Sequence, residues 1–355
     1  MAVQEGITRE ELQLAARNHG TPLEALRYPI TPVGLHYLLI HYDIPEVDPN
    51  AFRLEVDGLV ERRLSLTLDD LRAREAVELA VTMECAGNGR AALTPRPLSQ
   101  PWLLEAVGTA RWRGVTLRSV LEEAGVLERA VEVLFTGLDR GVEGGIEQQF
   151  QRSLPFEEAL RDEVLLAHEM NGGPLPPQHG FPLRLLVPGW YGMTSVKWLA
   201  RIEVLERAFD GYQQRTSYRL RKNEEEEGVA VGRMLPRSLL VPPGKPEFLT
   251  RERFLSSEPV RLEGRAWSGW APVVEVEVST DGGTTWAEAK LGEAESPWAW
   301  RSWTSEWRPP APGRYELCSR ARDEAGNTQP LEPEWNLGGY ANNAVQRVPV
   351  TVTDS

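Results

Sequence analysis

Two short stretches hold residue types that could do chemistry, and the first is built around a single cysteine. Cys85 sits in Thr82-Met83-Glu84-Cys85-Ala86-Gly87-Asn88-Gly89-Arg90, where a strand pattern gives way to a glycine loop. A side chain there can project toward a bound group, and Gly87 and Gly89 allow positive φ and close backbone approach. The cationic Arg90 favours thiolate over thiol. A thiolate is a soft ligand suited to a redox metal. A buried, inert packing cysteine is the competing reading of the same residue.

The second stretch is His179-Gly180-Phe181-Pro182-Leu183-Arg184, then Pro188-Gly189-Trp190-Tyr191-Gly192 and Ser195-Val196-Lys197-Trp198. His179, Arg184, Ser195 and Lys197 gather donors around a glycine-bearing turn, which suits a phosphate or a polar heterocycle. The spacing is not that of a nucleotide P-loop. A structural loop with solvated charges explains this stretch equally well.

The elements that must position these residues are of mixed kind. Thr8-Arg9-Glu10-Glu11 has capping-box spacing and opens a helix that Gly20 is expected to close. Alternation predicts strands over 52–57 and from Val77 to Met83, the latter running into Cys85. Helices are expected from Leu68 and over 116–124, and further strands over 131–135, 164–169 and 183–187. Strands and helices do not alternate cleanly, so the class is α+β rather than doubly wound. The acidic run Glu224 to Glu227 and the proline-rich stretch from Pro236 to Pro246 read as a linker or crossing segment. Beyond it the pattern is almost purely β. Val274, Val276 and Val278 alternate, Asp281-Gly282-Gly283 makes a turn, and Val348, Val350 and Val352 form a last strand. Short strands over about a hundred residues suggest an immunoglobulin-like sandwich. The expected division is 1–235 for a catalytic domain and 236–355 for the sandwich.

Composition narrows the function classes. The 355 residues include 39 Lys and Arg against 52 Asp and Glu, a net charge of −13 that argues against a nucleic-acid or anionic-membrane surface. An acidic surface could meet a basic redox partner, though it is also ordinary for a soluble protein. With two cysteines, a four-cysteine zinc or iron–sulfur site within one chain is excluded. No Cys-x-x-Cys-His haem attachment motif is present, and the five histidines are dispersed. Metal chemistry would therefore rest on one thiolate, with a cofactor supplying the rest. Met1 to Leu12 lacks the features of an export signal. The chain as written reads as cytoplasmic; a periplasmic location would follow if a leader had been removed.

Taken in order, these segments resemble the sulfite oxidase family. The match runs from the Cys85 loop through Gly137-Leu138-Asp139, Glu169-Met170-Asn171-Gly172 and the His179 stretch to Val196-Lys197-Trp198-Leu199. Asp281-Gly282-Gly283, Trp298-Ala299-Trp300-Arg301 and Trp335-Asn336-Leu337 continue it. The resemblance implies a mixed-sheet molybdopterin-binding domain followed by an immunoglobulin-like domain that forms a homodimer. It implies a molybdenum ion held by a pterin dithiolate and by Cys85. Contacts to the pterin and its phosphate fall on His41, Asp139, His179, Arg184, Ser195, Val196 and Lys197. A tyrosine beside the metal falls on Tyr218, a pocket tryptophan on Trp102, and a substrate arginine on Arg90. Cys318 matches no family role and is read as structural.

The chain departs from that pattern where the family binds substrate, with Leu39 and Gly338 at two positions that hold arginine in the family. Arg17-Asn18-His19 repeats a family tripeptide too early in the chain and is read as a coincidence. Arg111 or Arg113 could help to hold an anion, as could a partner subunit. The leading expectation is oxidation of sulfite to sulfate, with electrons leaving to an external carrier such as a cytochrome, since no haem-binding segment is visible. A reductase of a sulfoxide or similar oxide is the second reading. An interaction protein with a degenerate cofactor site is the third.

Overall fold

The computed structural model describes residues 6–354; residues 1–5, part of the stretch read for an export signal, lie outside the described residues. Two sheets carry the first part of the chain. One orders its strands as Leu64–Leu66, Leu54–Gly58, Leu199–Leu205, Glu132–Glu143 and Ile146–Pro155. Leu54–Gly58 and Leu199–Leu205 run parallel, and the other neighbours are antiparallel. The second places Val77–Glu84 beside Val107–Thr116 and then Leu165–Met170, against which both Gly173–Pro174 and Arg184–Leu186 pair. Helix Leu117–Ala124 packs Leu117, Val120, Leu121 and Ala124 into the main core. Thr116 caps its first turn through Ser119 N–H, and Gly125 ends it in the left-handed conformation.

The last third is a sandwich. A four-stranded sheet, Arg237–Leu240, Val260–Trp267, Arg301–Trp307 and Lys290–Ala294, faces a six-stranded one built around Val273–Ser279, Gly313–Asp323 and Gln346–Thr353. Their shared core holds Leu240, Val276, Trp303, Leu317 and Val350.

Several expectations shift in ways with physical causes. The first helix ends at Arg17, before Gly20, because Asn18 turns its amide outward to tertiary partners: Nδ2 donates to Gln100 Oε1 at 2.9 Å, and Oδ1 accepts from Ile40 N–H at 2.7 Å. Arg17 donates to Tyr42 O at 2.5 Å. The Arg17-Asn18-His19 tripeptide thus braces the segment 38–42 from outside. The acidic run is no linker; it is the loop between the short paired strands Arg219–Leu220 and Val229–Ala230. In Val77–Glu84 alternation holds only to Leu79, and every residue from Ala80 onward is buried. Ser296 to Trp300 lies along that edge strand, with Thr82 N–H donating to Trp298 O and Trp300 N–H donating to Thr82 Oγ1. An edge strand covered in this way is buried on both faces.

Candidate functional site

The covered strand Val77–Glu84 ends one residue before Cys85, which fixes where its sulfur points. The loop after it is pinned at both ends. Cys85 N–H donates to Ala106 O, and Asn88 N–H donates to Cys85 O. Gly89 has φ +87°, and a Cβ at Gly87 would meet the Arg90 guanidinium at 2.6 to 2.7 Å. Glycine at these two positions lets Arg90 fold back over the loop.

Cys85 stands between two adjoining recesses. The first is lined by Cys85 together with His41, Asp139, His179, Arg184, Ser195, Lys197 and Tyr218. The second, a cleft beside it, is lined by Cys85, His41 and Tyr218 with Arg90 and Trp102. Sequence reasoning therefore placed ten of its residues around these recesses. The exception is Val196, whose side chain packs in the main core and whose N–H and C=O bond Thr194 O and Leu185 N–H. Arg111 and Arg113 line neither recess; they pair with Glu295 and Glu169 at 2.6 and 3.1 Å.

The first recess gathers buried positive charge. Arg184 is 3% exposed and donates to His179 O and Ser195 O, each at 3.0 Å. Lys197 donates to Leu39 O at 2.7 Å and Gln178 O at 3.3 Å. Burial, and then neighbouring Arg184, push the Lys197 ammonium down to about 7. Burial raises the Asp139 carboxyl to about 6 against the pull of Lys197. Asp139 Oδ1, Arg184 Nε and His36 Nε2 are buried without protein hydrogen-bond partners. In a chain whose net charge is −13, the buried Arg184 and half-buried Lys197 lining one recess with a single carboxylate and unpaired polar atoms suit an anionic, heteroatom-rich ligand. Among the described residues no group of three or more His, Cys, Asp or Glu is placed to hold a metal ion, so a metal here would need ligands from the cofactor. The residues fit a molybdenum–pterin group with Cys85 as the protein ligand. Burial raises the Cys85 thiol, and Arg90, the Gly87 N–H and Trp102 oppose it. A coordinated metal would settle that balance in favour of thiolate.

Four residues here were not singled out by sequence. His36 and Tyr37 line the first recess, and Tyr340 lines the cleft. Arg152 lies behind Tyr218, its guanidinium 5.5 Å from the ring centroid. Tyr218 itself has φ +53°, a left-handed conformation that costs a non-glycine residue energy.

The histidines give a pH prediction. Burial holds His179 at about 2 and His36 at about 4, against an ordinary 6.5. Below about pH 6.5 the unfolded chain takes up protons that the native recess refuses, so stability falls with pH until the native groups also titrate. Asp139, raised to about 6, binds its proton more readily in the native state and offsets one histidine as pH falls from there. From these three groups a net slope of about 1.4 kcal/mol per pH unit remains between pH 6 and 4, and His168, also lowered by burial, adds to it. Urea midpoints at pH 7, 6, 5 and 4 should fall accordingly, and less steeply in His36→Gln. Equal slopes in the two proteins would remove His36 as a cause.

Comparison with known proteins agrees with this geometry. The oxidoreductase molybdopterin binding domain model matches residues 41–213, and the Mo-co oxidoreductase dimerisation domain model matches residues 230–353. Mitochondrial sulfite oxidase of Homo sapiens is 38% identical over 347 residues, covering 91% of this chain and 62% of its own length. Sulfite oxidase of Gallus gallus is 36% identical over 90% of this chain and 72% of its own. A nitrate reductase of Hordeum vulgare is 36% identical over 91% of this chain and 39% of its own. The solved structure of the sulfane dehydrogenase SoxCD from Paracoccus pantotrophus superposes with a TM-score of 0.81 at 26% identity, covering 100% of this chain and 94% of that one. Fold and site define a molybdopterin-binding oxidoreductase. The chain belongs to the sulfite oxidase family, and it spans 62% of the length of the human relative. No helix among the described residues is long and apolar enough to cross a membrane.

Proposed function

We propose that the protein oxidises sulfite to sulfate at a molybdenum–pterin centre and passes the electrons to an external one-electron carrier such as a cytochrome. The observation that carries this reading is the position of Cys85, shared by a cationic recess and a cleft that holds Arg90. In this assignment Cys85 ligates the metal. His41, Asp139, His179, Arg184, Ser195 and Lys197 hold the pterin and its phosphate, with the Val196 backbone beside them. Arg90, Tyr218 and Trp102 face the substrate. Residues 1–235 form the catalytic domain and 236–355 the domain through which two chains pair. Sulfite and water give sulfate, two protons and two electrons. The bound cofactor supplies the oxygen-atom exchange, while the chain contributes binding, orientation and electrostatics. Arg90 neutralises substrate charge, and Tyr218, kept protonated by burial, offers a hydroxyl donor.

A second reading, reduction of a sulfoxide or similar small oxide, is favoured by Leu39 in the lining and by the Gly338 carbonyl that takes up Arg90 Nε at 2.9 Å. Metal and pterin analysis of the purified protein should find molybdenum near one per chain. Sulfite should then bleach its oxidised spectrum and drive steady reduction of an added cytochrome. Molybdenum without sulfite reduction would move the substrate to the second reading, and absence of molybdenum from protein made in a competent host would defeat both.

A further inference from the structure

Arg90, Tyr340, Tyr218 and Arg152 form a four-layer stack beside Cys85. The Arg90 guanidinium lies 5.1 Å from the Tyr340 ring centroid, the two phenol rings are 5.1 Å apart at 34°, and the Arg152 guanidinium lies 5.5 Å from Tyr218. Tyr340 comes from the far end of the chain. Asn336 clamps its backbone, accepting from Tyr340 N–H at 2.9 Å and donating to Tyr340 O at 2.8 Å. Ala341 N–H ties the same loop to Ala86 O at 2.7 Å.

Charge in the cleft is nearly balanced. Among the described residues Arg90 is the one guanidinium and Glu143 the one carboxylate in its lining. Glu143 Oε2 is held by His41 Nε2 at 3.0 Å and Tyr42 Oη at 2.8 Å. Arg90 is also largely committed, with Nε on Gly338 O at 2.9 Å and Nη1 on Gln100 O at 3.1 Å. Nη2 has no protein acceptor among the described residues. Arg152 is 1% exposed, gives Nη1 to Gln213 O, and does not line the cleft. Neither phenol hydroxyl donates to a protein acceptor among the described residues. Burial raises both phenols, so they stay protonated donors.

We propose that Tyr340 is a specificity-determining residue, and that the cleft grips its oxyanion in singly charged form through Arg90 Nη2 and the Tyr340 and Tyr218 hydroxyls. Resting on the sulfite reading, this makes hydrogensulfite the form that binds. One guanidinium can neutralise one charge, and Glu143 opposes a second in a cleft partly withdrawn from water. Hydroxyl donors bind oxygen without adding charge. Sulfate, doubly charged at neutral pH, is then held weakly and leaves readily.

Inert product analogues test this without turnover. Calorimetric titration of the holoenzyme at pH 7 would use sulfate, methanesulfonate and dimethyl sulfone, which carry two, one and no charges. Methanesulfonate should bind at least about tenfold more tightly than either of the others. Tyr340→Phe, which keeps the ring stack, should weaken methanesulfonate about tenfold and raise the KM for sulfite, with kcat within about twofold and the melting temperature unchanged. A residue that only packs would not split KM from kcat in this way. Sulfate binding as tightly as methanesulfonate, dimethyl sulfone binding tightest, no binding of any analogue, or an unmoved KM in Tyr340→Phe would each overturn the proposal. Tight methanesulfonate binding in a protein that does not oxidise sulfite would uphold the cleft assignment while the sulfite reading fails.

Discussion

Cys85→Ser is expected to lose at least about a hundredfold in turnover while leaving the fold and the pterin in place. Serine fills nearly the same volume in a position that is 8% exposed, so the exchange opens no cavity on the scale of a core truncation. Global stability should therefore stay within about 1 kcal/mol of the parent. The pterin should remain because the anchors proposed for it, Arg184, Lys197 and His179, stand on other segments of the chain. What would change, on the proposed assignment, is the protein ligand offered to the metal: a neutral hydroxyl in place of a soft, electron-donating thiolate. Three measurements on one sample separate these effects: pterin content, the visible spectrum and the sulfite-dependent rate. Undiminished turnover would remove Cys85 from the metal, and loss of pterin together with rate would mean that the cysteine also holds the recess together.

The site was legible in the sequence to the extent that it follows from local spacing. Cys85 at the end of a strand and Arg184 to Lys197 around a turn are short-range patterns, and the structure brings them to one recess. Tyr340 and Arg152 were not legible. Tyr340 reaches the cleft only because the 336–342 loop is tied to Ala86 and Gly89, more than two hundred residues earlier, by Ala341 N–H and Asn342 Nδ2. Nothing near Tyr340 in the sequence announces that contact. Arg152 shares a strand face with the buried Phe150 and Leu154, so alternation points inward while its charge argues for solvent, and it is buried beside Tyr218. The same distinction holds for the fold. Periodicity found the main strands and the sandwich, but the run of buried residues from Ala80 to Glu84 arises from the Ser296–Trp300 segment laid across it. The hairpin around Glu224 to Glu227 was hidden because a loop tip and a linker share the same composition.

Glu84→Ala is expected to destabilise the protein by about 3–5 kcal/mol. Glu84 and Arg237 are each 1% exposed, and Arg237 Nε lies 2.9 Å from Glu84 Oε1. The same carboxylate accepts from Asn88 Nδ2 at 3.0 Å and from Trp267 Nε1 at 2.9 Å. One side chain thus joins the strand before Cys85, the loop after it, and two strands of the sandwich. Removing it strands a guanidinium whose remaining acceptors are the carbonyls of Asn342 and Asn88. The penalty comes from the orphaned charge more than from the lost attraction, since burying an ion pair costs much of what the pair returns. Replacing both partners, Glu84→Leu with Arg237→Met, should therefore cost markedly less than Glu84→Ala alone. Urea unfolding of the three variants decides the matter, because a double variant less stable than Glu84→Ala would mean the pair contributes attraction beyond its desolvation. If the double variant recovers stability yet retains less pterin, the pair acts chiefly by setting the angle at which the strand delivers Cys85. If it recovers both, Cys85 is positioned by the covered strand alone.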